Sequence, residues 1–330
     1  MTIETDNAAG LLNHTPAQSS ASSESEYLTD VAPRHGVWDA RKAAADVVAG
    51  VYAQADTPAM SQHGRKVLDC SQTLFLLPVF QGETGEISFK VNSWKCRERH
   101  CPICQSVRAH KLQQEFSAAL PVIMAQVPKG AFLLLTLTVS NCPITELRAT
   151  LAEMGKAWQR LLRKPEFRIV RGWIRGTEVT KGEDGPMQAH PHFHVLLLVP
   201  SYYFAGKSYI KQARWTELWQ SVARLNYVPV VDIRRVKTVQ GGIEEAVKAA
   251  TYSIKPAEWE TDPAWFHELH QQVSGLRFLA TGGVIKAALG AQVGGEADGR
   301  AEGAEDPEGE AASPLVFTWR RPEKRYRRKR

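Results

Sequence analysis

The run Ala189–Val199 (AHPHFHVLLLV) carries His192 and His194, two residues apart in an otherwise apolar stretch. In an extended strand, residues i and i+2 share a face. Both imidazoles therefore project together, while Phe193 and Val195 face the other way. Neutral imidazole is a common transition-metal ligand, and two of them on one rigid face make half of a metal site. Burying two imidazoles without partners costs free energy, which favours a ligand role over a purely structural one. Glu178 lies on the preceding predicted strand (GWIRGTEVT), across a hairpin. It completes a set of two histidines and one carboxylate, with coordination positions left open. His190 has the same parity. It reads as a further ligand, a donor to one, or a consequence of the bend at Pro191.

Cysteines form a second candidate centre. CRERHCPIC holds Cys96, Cys101 and Cys104, and Cys70 lies one predicted hairpin upstream. If that hairpin folds back, Cys70 and Cys96 meet at its open end. A four-thiolate structural zinc site of Cys70, Cys96, Cys101 and Cys104 follows, with His100 and His110 as alternative fourth ligands. Reduced core cysteines are the competing reading. Cys142 stands alone and reads as an inert core or loop residue. Lys95, Arg97, Arg99, Arg108, His110 and Lys111 flank the cluster. They suit duplex DNA, or equally a solvated helix face.

These residues need a scaffold, and the patterning supplies one. The 330 residues are 43% apolar and 23% charged, enough to bury one sizeable core, or one large and one small. A net charge of +6 leans toward a polyanionic partner. No stretch reaches the ~18 apolar residues of a membrane span. The opening residues lack a basic segment followed by an apolar run, so no signal peptide is expected. A cytoplasmic location, where thiols stay reduced, is the expectation. Residues 37–54 space their apolar positions like a helix face. Thr73–Gln81 and Glu86–Asn92 alternate as strands around a Gly82–Gly85 turn. Helices are predicted over 105–126, 145–163, 210–224, 243–254, 263–274 and near 283–289. Strands are predicted at Phe132–Val139, Arg171–Thr180, His192–Val199 and Val230–Val236. Interleaved helices and hairpin-type connections give an α+β fold: a central antiparallel sheet with flanking helices, plus a small N-terminal cysteine-rich element.

The stretch TEVTKGEDGPMQAHPHFHVLLLV resembles the signature of the HUH endonucleases, in which two histidines flank an apolar residue. The resemblance is closest to the single-tyrosine initiators of plasmid rolling-circle replication. FLLLTLTVSN (132–141) resembles their first motif. MGKAWQRLLR followed by VRGWIRGTEVT resembles the helix and strand before the histidines, and ATYSIKP (250–256) resembles the tyrosine motif. The match covers roughly residues 65–290, and comparable cysteines occur in such initiators. The resemblance implies an HUH nicking domain over 113–290. Beside it stand a disordered tail (1–35), a cysteine-rich basic module (36–112), an acidic disordered linker (291–313) and a basic tail (314–330).

It also implies a reaction. Tyr252 attacks a scissile phosphate of origin DNA, leaving a 5′-phosphotyrosine and a 3′-OH primer. A divalent ion, Mg²⁺ or Mn²⁺, sits on His192, His194 and Glu178, and Lys255 adds a positive group. Tyr202, Tyr203 and Tyr209 are rival nucleophiles. Such initiators commonly carry a Glu one helical turn before the tyrosine, where this chain has Lys248. Glu245, at i−7, is the acid that shares that helix face. Host helicase and polymerase are the implied partners, with a homodimer as a candidate assembly. A transposase or relaxase, a hydrolytic metallonuclease and a non-catalytic zinc-stabilised regulator are the alternatives.

Overall fold

The computed structural model describes residues 26–55, 57–80, 87–205, 208–238, 241, 244, 262–293 and 313–329. Short α1 (Leu28–Val31) leads into α2 (Val37–Ala53) and α3 (Pro58–Asp69). Pro58 opens α3 and the Thr57 hydroxyl accepts from the Met60 N–H at 3.4 Å, a start that suits Pro at the first helical position and a hydroxyl cap. Strands β1 (Thr73–Phe80) and β2 (Ile87–Asn92) pair antiparallel as the alternation predicts. The long helix α4 (Pro102–Gln126) follows, then β3 (Ala131–Thr138), a two-residue β4 (Cys142–Pro143) and α5 (Leu147–Leu161). Strands β5 (Gly172–Lys181) and β6 (Gln188–Val199) form the central hairpin. After α6 (Gln212–Ala223) and β7 (Val231–Arg235) come α7 (Pro263–Val273), β8 (Leu279–Gly282), α8 (Gly283–Val293), β9 (Leu315–Arg320) and β10 (Arg325–Arg328).

The larger sheet runs β7-β3-β6-β5-β8, with β4 pairing β6, and all of these pairs are antiparallel. Side-chain alternation gives it two covered faces. Phe193, Val195, Leu197 and Val199 join Leu133, Leu135 and Leu137 in one apolar cluster with α2, α5, α6 and α7. Leu196 and Leu198 join Phe132 and Ile174 on the other face, under Leu112, Phe116 and Ile123 of α4 and Ile285 of α8. His192 and His194 have the parity of Leu196, so they lie on the α4–α8 face beyond the helices' apolar contacts. Cys70, Cys101 and Cys104 belong to the first cluster together with α2 and α3, so residues 36–112 share the core of the larger sheet.

The smaller sheet, β10-β9-β1-β2, corrects two expectations. Residues 315–328, expected within a basic tail, form a hairpin paired to β1. The run LVFTWR alternates, and its inward residues Phe317 and Trp319 bury against Leu74, Leu76 and Tyr326. The arginines lie between and around these positions and mask a period-two pattern. Residues 28–35, expected within a disordered tail, form α1 and a short 3-10 turn, because Leu28 is fully buried in the same cluster. Helix α3 and strand β8 were not anticipated either. The predicted 243–254 helix lies almost wholly outside the described residues, as do the Gly82–Gly85 turn and most of the 291–313 linker.

Candidate metal centre and active site

The β5–β6 register places Glu178 directly opposite His192, and Gly176 opposite His194. The Glu178 Oε2 atom lies 3.0 Å from His192 Nε2 and 2.8 Å from His194 Nε2. All three ligand atoms fall within 4.8 Å of one another. The far ring nitrogens are occupied as well. His192 Nδ1 donates to the His190 carbonyl at 3.3 Å, and His194 Nδ1 lies 3.3 Å from the Thr136 hydroxyl on β3. A ring that holds its proton at Nδ1 keeps the Nε2 lone pair for a cation. Burial alone would raise the Glu178 pKa, but the two imidazoles that face it overcome that and hold the carboxyl at about 2. The group is an ionised carboxylate beside two imidazoles. In chemistry and convergence it fits a divalent ion of the Mg²⁺/Mn²⁺ kind. His190 stands apart from this set. Its ring meets His192 edge-on at 5.5 Å, and it is the backbone carbonyl that serves the site.

The four cysteines converge as their spacing predicts. Cys70 caps the end of α3, Cys96 follows β2, Cys101 caps the start of α4, and Cys104 sits in that helix's first turn. Cys104 Sγ is 3.7 Å from Cys70 Sγ and 3.6 Å from Cys96 Sγ, and none of the cysteines forms a disulfide. Four thiolates at about 2.3 Å from a tetrahedral zinc lie about 3.8 Å apart along each edge. The spacing matches that edge, and the Cys96 N–H donates to Cys70 Sγ at 3.5 Å. Sharing of protons within the cluster holds Cys70 and Cys104 below the usual thiol range, through donors led by Cys101 in both cases. It pushes Cys96 and Cys101 above that range, led by Cys101 and Cys104 respectively. A resident cation would instead hold all four as thiolates. His100 and His110 are not part of the group.

A family model described as a replication protein matches residues 88–327. The chain belongs to the replication-protein family. It is 33% identical over 226 residues to Protein rep of Streptococcus pneumoniae serotype 2 (strain D39 / NCTC 7466), covering 67% of this chain and 69% of that one. It is 34% identical over 219 residues to Protein rep of Lactiplantibacillus plantarum, covering 61% and 68%. With Protein rep of a Bacillus species it shares 35% identity over 181 residues, covering 54% and 57%. No solved structure matches the chain. Membership agrees with the resemblance to replication initiators drawn from the motifs.

The remaining site residues of this family member divide in two. Tyr252, Lys255, Glu245 and Lys248 lie outside the described residues. Of the rival tyrosines, Tyr202 and Tyr203 stand just past the C-terminal end of β6, and the register sets the histidines near its other end. Tyr203 is buried and donates to the Ile210 carbonyl at 3.2 Å, with the Tyr209 ring meeting it edge-on. Five residues of strand separate His194 from Val199, about 17 Å at 3.4 Å per residue. These three tyrosines are therefore remote from Glu178, His192 and His194. Sequence reasoning missed Thr136, whose hydroxyl reaches His194 from the neighbouring strand. Its sole signal was the Thr inside FLLLTLTV.

Proposed function

We propose that this protein initiates rolling-circle replication of a plasmid by nicking one strand of origin DNA. The observation that carries the reading is the convergence of Glu178, His192 and His194 on one point in a chain of the replication-protein family. A divalent ion bound there would polarise the scissile phosphate and offset the charge that develops in the transition state. Glu178 and the two Nε2 atoms would hold it. The Thr136 hydroxyl and the His190 carbonyl would fix the two rings.

The Tyr252 phenol is the proposed nucleophile. Its oxygen bonds to phosphorus, the P–O3′ bond breaks, and the departing oxygen takes up a proton to become the 3′-OH primer. Lys255 supports the phosphate or the phenolate, since a free phenol with a pKa near ~10 is a poor nucleophile at neutral pH. The ester conserves the phosphodiester bond energy, so rejoining needs no ATP. Glu245 is the proposed acid at termination, standing in for a carboxylate at the position of Lys248. The described residues on either side of the segment bearing these groups belong to the larger sheet or contact it. β7 pairs with β3, and Asp262 accepts from Lys181 of β5 at 2.7 Å. The cysteine group is proposed to hold a structural zinc.

The test is a nicking assay on single-stranded origin candidates with Mn²⁺, followed by mass mapping of the modified tyrosine. Tyr252→Phe is expected to keep DNA binding and lose both cleavage and the covalent adduct. Unimpaired nicking by that variant would remove Tyr252 from the mechanism. Cleavage without any trapped adduct would favour a hydrolytic metallonuclease.

A further inference from the structure

A basic groove of about 470 Å³ opens beside the sheet edge, lined by Arg97, Arg99, Arg108, Lys111, Arg277 and Leu279 among others. One wall is the loop between Cys96 and Cys101 with the first turns of α4. The other is the segment leading into β8. The single carboxylate in the lining, Glu115, is paired to Lys111 at 3.7 Å. Two of the arginines build the groove. Arg108 donates to the carbonyls of Arg97, Glu98 and Arg99 at 3.4, 3.2 and 3.0 Å, which sets the loop. Arg99 donates to the Leu276 carbonyl and lies over the Phe278 ring at 4.3 Å, which ties one wall to the other. Arg97 and Arg277 are exposed on opposite walls. The groove's aromatic residue, Phe278, is buried, so no exposed ring there offers a surface for base stacking. The chemistry is that of a phosphodiester backbone gripped without regard to sequence.

Register relates the groove to the metal group. Leu279 of β8 pairs with Gly176 of β5, and Gly176 pairs on its other side with His194. Paired residues of an antiparallel sheet share a face, so Leu279 and His194 occupy one row of one face, two strand spacings apart. That is about 10 Å. Leu279 and Leu112 of the groove pack in the same apolar cluster as Leu196 and Leu198, which confirms the face. We propose that this groove binds the DNA backbone adjoining the scissile phosphate, with Arg97 and Arg277 as its principal phosphate contacts. The proposal rests on the nicking reading and adds where the strand leaves the site. The cysteine cluster bears on the groove as well, because Cys96 and Cys101 bound the loop that carries Arg97.

The experiment measures anisotropy of a labelled oligonucleotide of mixed sequence, alone and annealed to its complement, with the full chain across a range of salt concentrations. Arg97→Gln with Arg277→Gln is expected to weaken binding and to flatten the plot of log Kobs against log[salt]. The loss of slope is about 1.4 on a single strand or about 1.8 on duplex, for two phosphate contacts. The form that shows its full loss is the form the groove holds. Arg163→Gln with Lys164→Gln removes the same charge at the end of α5, on the opposite layer, and is expected to leave the slope unchanged. Equal flattening by both pairs, or an unaltered slope in the groove pair, overturns the groove while wild-type nicking keeps the initiator reading intact. A wild-type chain that binds neither form of DNA overturns both. Matching melting curves show that the exposed substitutions left the fold in place.

Discussion

His194 and His192 are held by different kinds of partner. His192 leans on a backbone carbonyl two residues away in its own strand. His194 depends on a side chain from the adjacent strand, Thr136. Removing a group that orients a metal-bound imidazole typically costs about 10–100-fold in metal affinity or activity. Thr136→Val is therefore expected to weaken Mn²⁺ binding by about that factor, read by ion titration. Thr138→Val is the comparison. Its hydroxyl donates to the Val230 carbonyl at 2.9 Å, and its loss is expected to leave ion affinity near wild type. Equal affinity in Thr136→Val and wild type would remove the threonine from the site. His194→Ala and Glu178→Gln are each expected to abolish Mn²⁺-dependent nicking with little change in melting temperature, because both side chains sit at a partly exposed end of the sheet.

At the scale of elements, the cysteine group is a joint. It fixes the end of α3, the exit of β2 and the start of α4 at one point. A chain purified without chelator is expected to carry one zinc, counted by elemental analysis, and Cys101→Ser with Cys104→Ser to carry none. Loss of the joint by about 2–3 kcal/mol would lower the melting temperature by roughly 5–10 °C in a domain of this size. An unchanged zinc content in the double variant would sink the assignment. The β9–β10 hairpin is a second joint. Trp319 is 3% exposed, and its indole N–H donates to Asp46 at 2.8 Å. Trp319→Ala is expected to cost about 3–5 kcal/mol, measured by denaturant unfolding. A cost below ~1 kcal/mol would mean that the hairpin is dispensable to the small sheet.

For the molecule as a whole, acidification acts on a buried histidine group where α2, α3 and α7 meet. Tyr52 OH lies 2.8 Å from His270 Nδ1, and the His63 and His270 rings are 4.5 Å apart. Burial first, then repulsion from His63, lowers the His270 pKa to about 4, with Glu98 opposing and Arg99 and His267 adding to the shift. An unfolded histidine titrates near 6.5. Between those values the unfolded chain binds more protons, so stability is lost as pH falls from about 6.5 toward 4. The melting temperature is expected to drop between pH 7 and pH 5, and to drop less in His270→Gln. An identical drop in the variant would place the pH sensitivity elsewhere.

Sequence by itself determined that the two clusters converge, because each rests on local periodicity and a short hairpin. His-x-His on a strand must share a face, and a strand one short loop upstream must bring Glu178 alongside. The cysteine group followed by the same logic, with CPIC at a helix start and Cys70 across the β1–β2 hairpin. The α+β architecture was legible because the β1–β2 and β5–β6 hairpins join strands adjacent in sequence, with helices interleaved between the pairs. Only the tertiary structure decided the rest. Thr136 and His194 meet across a pairing 58 residues apart in sequence. Strand β8 is only four residues long, too short to declare itself, yet it puts Arg277 opposite Arg97. The β9–β10 hairpin hid inside a basic run, because burial of Phe317 and Trp319 requires β1, more than 200 residues away in the chain. Long-range pairing selects among local alternatives that the chain leaves open, and here it turned a basic tail into a strand pair and a charged flank into a groove.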